Sequence, residues 1–125
     1  MRKIFVLLIS AAAFLAGPAG PAFAKKSEWF TGSERRAAYK EVGQNLLTAI
    51  ECRDSGRKAL DLDEVQFRVS YGPNPEKVRF LWAVGTHYGP TRKKAEKRGY
   101  KLVSYNSFVR AKSGLRFHCA VWHKK

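Results

Sequence analysis

The sequence predicts an α+β domain: one four-stranded antiparallel sheet with helices on one face, in the order αββαββ. Three observations carry that expectation. Apolar residues recur at spacings of three and four between Thr31 and Cys52, as on a helix. In four later runs they alternate with polar residues, as on half-buried strands. One of those runs, VRFLWAV from Val78, is echoed by LRFHCAV from Leu115.

Residues 1–24 precede the predicted domain and read as a secretory signal peptide. Arg2 and Lys3 lead an apolar run from Ile4 to Ala16, and small residues ending in Ala22-Phe23-Ala24 place cleavage after Ala24. Gly17, Pro18, Gly20 and Pro21 follow the apolar run at once, and the run is short for a membrane span, so the mature form is expected to have no transmembrane segment. Residues 25–125 then make a single small α+β domain, exported to the periplasm or secreted.

Within that domain Thr31-Gly-Ser-Glu34 has the pattern of a capping box, and a helix is expected to start there. Ala38, Tyr39, Val42, Leu46, Ala49 and Ile50 form its apolar stripe, and Asp54-Ser55-Gly56 supplies its stop. From Val65 the period becomes two. Val65, Phe67, Val69 and Tyr71 alternate with Gln66, Arg68 and Ser70, and after Gly72-Pro-Asn-Pro75 the residues Val78, Phe80, Trp82 and Val84 alternate in turn, which predicts a hairpin. A short polar helix is expected over Thr91 to Arg98, stopped by Gly99, followed by a second hairpin of Tyr100 to Val109 and Leu115 to His123. Overlaying the two similar runs pairs Val78 with Leu115, Phe80 with Phe117, Trp82 with Cys119 and Val84 with Val121, so all eight are expected to face the core.

The second unit also resembles a known family. Gly99-Tyr-Lys-Leu-Val-Ser-Tyr-Asn-Ser-Phe108, a short gap with Gly114, and Leu115-Arg-Phe-His-Cys-Ala-Val-Trp122 look like one copy of the bacterial tandem-repeat unit, the structural repeat found beside polyglycine hydrolases and beta-lactamase-like enzymes. Residues 91–125 are covered. The resemblance implies a short helix followed by a hairpin, acting as a non-catalytic module.

Cys52 and Cys119 are the two cysteines of the chain, and the export signal puts them in an oxidising compartment, so a disulfide is expected. Two buried free thiols, or a redox or metal role, are the alternatives. With Cys52 near the end of the long helix, the bond would staple helix to sheet.

Charge narrows the class of partner. Removing Arg2 and Lys3 from the formal net charge of +14 leaves +12, a field that gathers anions. By alternation the outer sheet face is expected to carry Arg68, Arg79, Leu81, Lys101, Arg116, His118 and Trp122, with Arg92, Lys93 and Lys94 adding a basic run on the short helix. Arginines beside an exposed aromatic ring hold anions and stack planar or sugar rings. The alternative for Leu81 and Trp122 is that a partner copy or the chain termini cover them, making the face a homodimer interface.

Catalysis is not expected. His118 and His123 fall on opposite faces of one strand, so they cannot share a metal without a bulge, and Asp61, Asp63 and Glu64 read as local charge balance. No cofactor or metal is implied. The expected function is an exported, basic, non-catalytic binding module for an anionic polymer, whether acidic glycan, lipopolysaccharide or extracellular nucleic acid. A secreted effector or inhibitor that binds an acidic protein, and a small hydrolase, are the alternatives.

Overall fold

The computed structural model describes residues 24–58 and 61–125; the signal peptide read in the sequence lies, except for Ala24, outside the described residues. The chain is α+β with antiparallel strands, and the strands divide into two sheets. In chain order the elements are β1 (Lys25–Lys26), β2 (Phe30–Thr31), α1 (Arg35–Val42), β3 (Leu46–Asp54), a 3-10 turn (Asp61–Glu64), β4 (Val65–Gly72), β5 (Arg79–Gly85), α2 (Tyr88–Lys97), β6 (Lys101–Val109) and β7 (Arg116–Lys124).

The first sheet has four strands, with β4 at its centre. β3 pairs along one side of β4, and β1 and β2 share the other. Ser27 bridges the gap between β1 and β2: its backbone N–H donates to Val69 O at 2.9 Å, and its Oγ accepts from Val69 N at 3.0 Å. The second sheet has the order β5–β7–β6. The two similar runs of the sequence therefore lie side by side and antiparallel, with Trp82 opposite Val121 and Val84 opposite Cys119.

Several sequence expectations are corrected here. The predicted long helix ends at Val42. Thr31 N–H does donate to Glu34 Oε1 at 2.7 Å, half of the expected capping box, but Gly43 at φ +55° and the Asn45 side chain on Val42 O stop the helix after eight residues. Leu46–Asp54 is a strand instead. Its register slips between Leu47 and Ala49, a bulge at Thr48, so the inward residues Leu47, Ile50 and Cys52 are spaced three and then two. That phase shift imitates helical spacing.

β4 and β5 do not form a hairpin, because both sides of β4 are occupied. The connection carries the chain across to the second sheet, braced by Asn74, which accepts from Val78 N at 2.8 Å and donates to Val78 O at 2.9 Å. β6 and β7 form the expected hairpin. The helices do not share one sheet face. Ala38 and Val42 place α1 against the core between the sheets, whereas α2 packs on the outer face of the second sheet.

Between the sheets lies the main core. Val65, Phe67, Val69 and Tyr71 from β4 meet Phe117, Cys119 and Val121 from β7, with Leu47 and Ile50 from β3 and Val84 from β5. Of the eight residues expected to face inward, six join this core; Leu115, which precedes β7, is exposed, and Val78, which precedes β5, is half-buried outside it. A disulfide joins Cys52 to Cys119 across this core. It links β3 to β7, sheet to sheet, rather than helix to sheet.

A second, smaller core sits under α2, where Ala95 and Tyr100 cover Ala120 and Trp122. α2 closes with a Schellman motif: Tyr100 N–H donates to Ala95 O and Gly99 N–H to Glu96 O, both at 3.0 Å, with Gly99 at φ +87°.

Candidate functional site

Strand alternation placed seven residues on one outer face, but the fold distributes them. Trp122 is 0% exposed and Leu81 half-buried, both beneath α2 of the same chain. Alternation assigns a side chain to a face; it does not say which helix lies on that face. Arg68 belongs to the other sheet, bonded to Glu51 at 2.5 Å and lying 4.7 Å over the Trp29 ring. Arg79 and Lys101 are exposed at one end of the second sheet, whereas Arg116 and His118 stand at the other. Arg92, Lys93 and Lys94 are exposed on α2.

Two features emerge from this arrangement. The first is a basic pole where β5 begins and β7 ends. Register sets Arg79 directly opposite Lys124, and Lys101 opposite His123. Like charges facing each other across an antiparallel pair are unfavourable. Lys124 Nζ donates to Arg98 O at 2.6 Å, which brings the end of α2, with Lys97 and Arg98, to the same pole. Among the described residues Arg92 is the only cation of α2 in an ion pair, with Glu96 at 3.1 Å. The charge is segregated along the chain as well: residues 65–125 carry fourteen Lys and Arg against two acidic residues, while residues 25–64 carry eight of each.

The second feature is a cleft of about 550 Å³ at the opposite end of the same sheet, between the end of β5, the start of α2 and the start of β7. Arg35 reaches it from α1. One guanidinium N–H of Arg35 donates to Val84 O, and its charge lies 5.6 Å over the Trp82 ring. Glu64, at the foot of β4, is 6% exposed and lies 3.5 Å from Nε of Arg110. Among the described residues no hydrogen-bond donor reaches its carboxylate.

The aromatic wall of the cleft is Tyr88 and His118, stacked at 5.0 Å and 17°. The Tyr105 hydroxyl lies 2.6 Å from His118 Nδ1. Burial, helped by the nearby Arg116 charge, holds the imidazole below its ordinary pKa of 6.5, and burial raises the Tyr88 phenol above its ordinary 10.0. A neutral His118 that accepts the Tyr105 hydroxyl at Nδ1 keeps its proton on Nε2 and remains a donor.

Behind the cleft, Arg110 is buried at 1% exposure. It donates to Asp54 Oδ1 at 2.8 Å, to Glu64 O at 2.9 Å and to Arg57 O, pinning the Asp54–Glu64 connection to the β6–β7 turn.

Sequence reading missed Arg35, Tyr88, Tyr105 and Arg110, and took Glu64 for charge balance. They come from five separate stretches, and only tertiary packing assembles them. The available signal was local: Glu64 sits immediately before the fully apolar inward face of β4, a poor place for an unpaired carboxylate. Among the described residues no group of three His, Cys, Asp or Glu is arranged to hold a metal ion, and no helix is long and apolar enough to cross a membrane.

Fold and site together define a small basic α+β module with a cationic pole and a polar cleft. Comparison with protein-family models, with curated proteins and with solved structures finds no match.

Proposed function

We propose that the mature chain is an exported, non-catalytic module that holds an anionic polymer of the cell envelope or its surroundings on the basic pole. The observation that carries this reading is the segregation of charge. All of the excess positive charge after residue 24 comes from residues 65–125, and strand register sets Arg79 opposite Lys124, neither of them in an ion pair among the described residues. Cations gathered with so few acidic residues raise a positive potential that draws anions. The signal-like leader and the Cys52–Cys119 disulfide support an oxidising compartment. Acidic glycan, lipopolysaccharide and extracellular nucleic acid all offer the required charge.

The test is co-sedimentation of the oxidised mature chain with envelope fractions, and with each purified polymer, across a salt series. Binding should weaken linearly in log–log form as salt rises, and reversing Arg79 and Lys124 together to Glu should flatten that slope. Binding indifferent to salt would sink the reading. A second reading, an effector or inhibitor docked on an acidic protein, is favoured by one observation: β6 exposes Leu102, Val103, Tyr105 and Val109 beside the basic residues.

A further inference from the structure

The cleft holds chemistry that polymer binding at the pole does not use. Glu64 is almost wholly buried, and the Arg110 guanidinium, which it shares with Asp54, lies 3.5 Å away, yet its oxygens receive no hydrogen bond from the described residues. What the carboxylate lacks is donors, since a cation already stands beside it. A neutral hydroxyl fills that need, whereas a ligand ammonium would sit beside the Arg110 guanidinium and be repelled. Arg35 reaches the same cleft with one N–H on Val84 O and its remaining donors free of any acceptor among the described residues. Such a planar cation suits a carboxylate. The same cleft is lined by apolar surface from Val84 and Phe117 and by the stacked rings of Tyr88 and His118.

A ligand that meets all three features carries hydroxyl donors, a carboxylate and a ring with an apolar C–H face. We propose that the cleft binds a single sugar-acid residue of the hexuronate type, with its carboxylate on Arg35, its hydroxyls on Glu64 and its ring against Tyr88 and His118. The cleft, at about 550 Å³, falls within the usual size range of small-ligand sites. This site lies at the other end of the sheet from the basic pole and stands apart from the polymer reading. The two can therefore fail separately.

The experiment is NMR titration of the oxidised mature chain with glucuronate, glucose and glutamate, at salt high enough to release polyanions. Glucuronate should shift the Tyr88 and His118 ring signals and bind about tenfold or more tightly than glucose, the increment expected of a charge-assisted pair. Arg35→Met should abolish that preference, and because Arg35 is only half-buried, the variant should remain folded. Glu64→Gln should weaken both sugars, since its amide nitrogen replaces an acceptor with a donor. Equal binding of glucose and glucuronate, tighter binding of glutamate, or no ring shifts with glucuronate would each overturn the assignment. Reversal of Arg79 and Lys124 should leave glucuronate binding unchanged; its loss there would also overturn it. Glucuronate binding without any polymer binding would leave this inference standing and remove the earlier one.

Discussion

Removing the Cys52–Cys119 bond should cost this chain a large part of its stability, mostly through the unfolded state. The two residues are 67 apart in sequence, and closing a loop of that length removes chain entropy worth roughly 4 kcal/mol at 25 °C. That is comparable with the whole net stability of many domains this size, about 5–15 kcal/mol. Both cysteines are buried, at 7% and 0% exposure, so the matched variant is Cys52→Ala with Cys119→Ala, which buries no new hydroxyl. Urea unfolding of the oxidised chain and the double variant measures the effect. The midpoint should fall, and the denaturant slope should rise because an uncrosslinked chain exposes more surface when it unfolds. In thermal unfolding the loss corresponds to a shift of roughly 15–30 °C. A change below about 1 kcal/mol with an unaltered slope would refute the reasoning, since it would mean that the unfolded chain was never free to explore the loop.

Further outcomes follow from burial and titration. Trp122→Ala should destabilise by about 3–5 kcal/mol, as expected for emptying a fully buried aromatic site, and should release α2 as seen in the near-ultraviolet circular dichroism of the aromatic cluster. Trp122→Phe should cost much less, because the indole N–H has no hydrogen-bond partner among the described residues. His118, held below its ordinary 6.5 chiefly by burial, takes up a proton less readily folded than unfolded. Stability should therefore be complete above pH 6.5 and decline as pH falls toward the folded value; urea midpoints that stay level between about pH 7 and 5 would contradict this, and His118→Gln should level them. Asp54 is held below its ordinary 3.8 first by the Gly56 N–H, then by Ala111 N–H and Arg110. Glu51 is likewise held below its ordinary 4.5, first by its hydrogen bond from Arg68, so further losses of stability should appear as pH falls below 4.5 and then below 3.8, read from the same midpoints.

The legible and illegible parts of this fold separate on physical grounds. The start of α1 was visible in Thr31–Glu34, the end of α2 in Gly99, and the inward faces of β4, β5 and β7 in strict alternation, because each depends on residues close together in sequence. The disulfide needed only two cysteines and a signal-like leader. β3 was read as helix because its bulge at Thr48 broke the period of two; Gly43-Gln44-Asn45, just after Val42, was the sign that a helix had already ended. β1 and β2, at two residues each, are too short to show any period. The division into two sheets was hidden because it depends on which strands flank β4, a non-local choice. The proposed binding face failed for the same reason: nothing near Trp122 in the sequence announces that Ala95 and Tyr100 will cover it.

The meeting of β3 and β6 has a consequence for solubility. These two strands do not continue a backbone ladder; Ser104 Oγ accepts from Ile50 N–H at 3.1 Å, and Asn106 Oδ1 accepts from Cys52 N–H at 3.5 Å. Side chains thus occupy donors that an open strand edge would present to a neighbouring molecule. Such an edge is a template for intermolecular pairing, and here it is turned inward and capped by short polar groups. The exposed Leu102, Val103 and Val109 of β6 therefore do not adjoin a run of free β3 backbone donors on which a second molecule's strand could build.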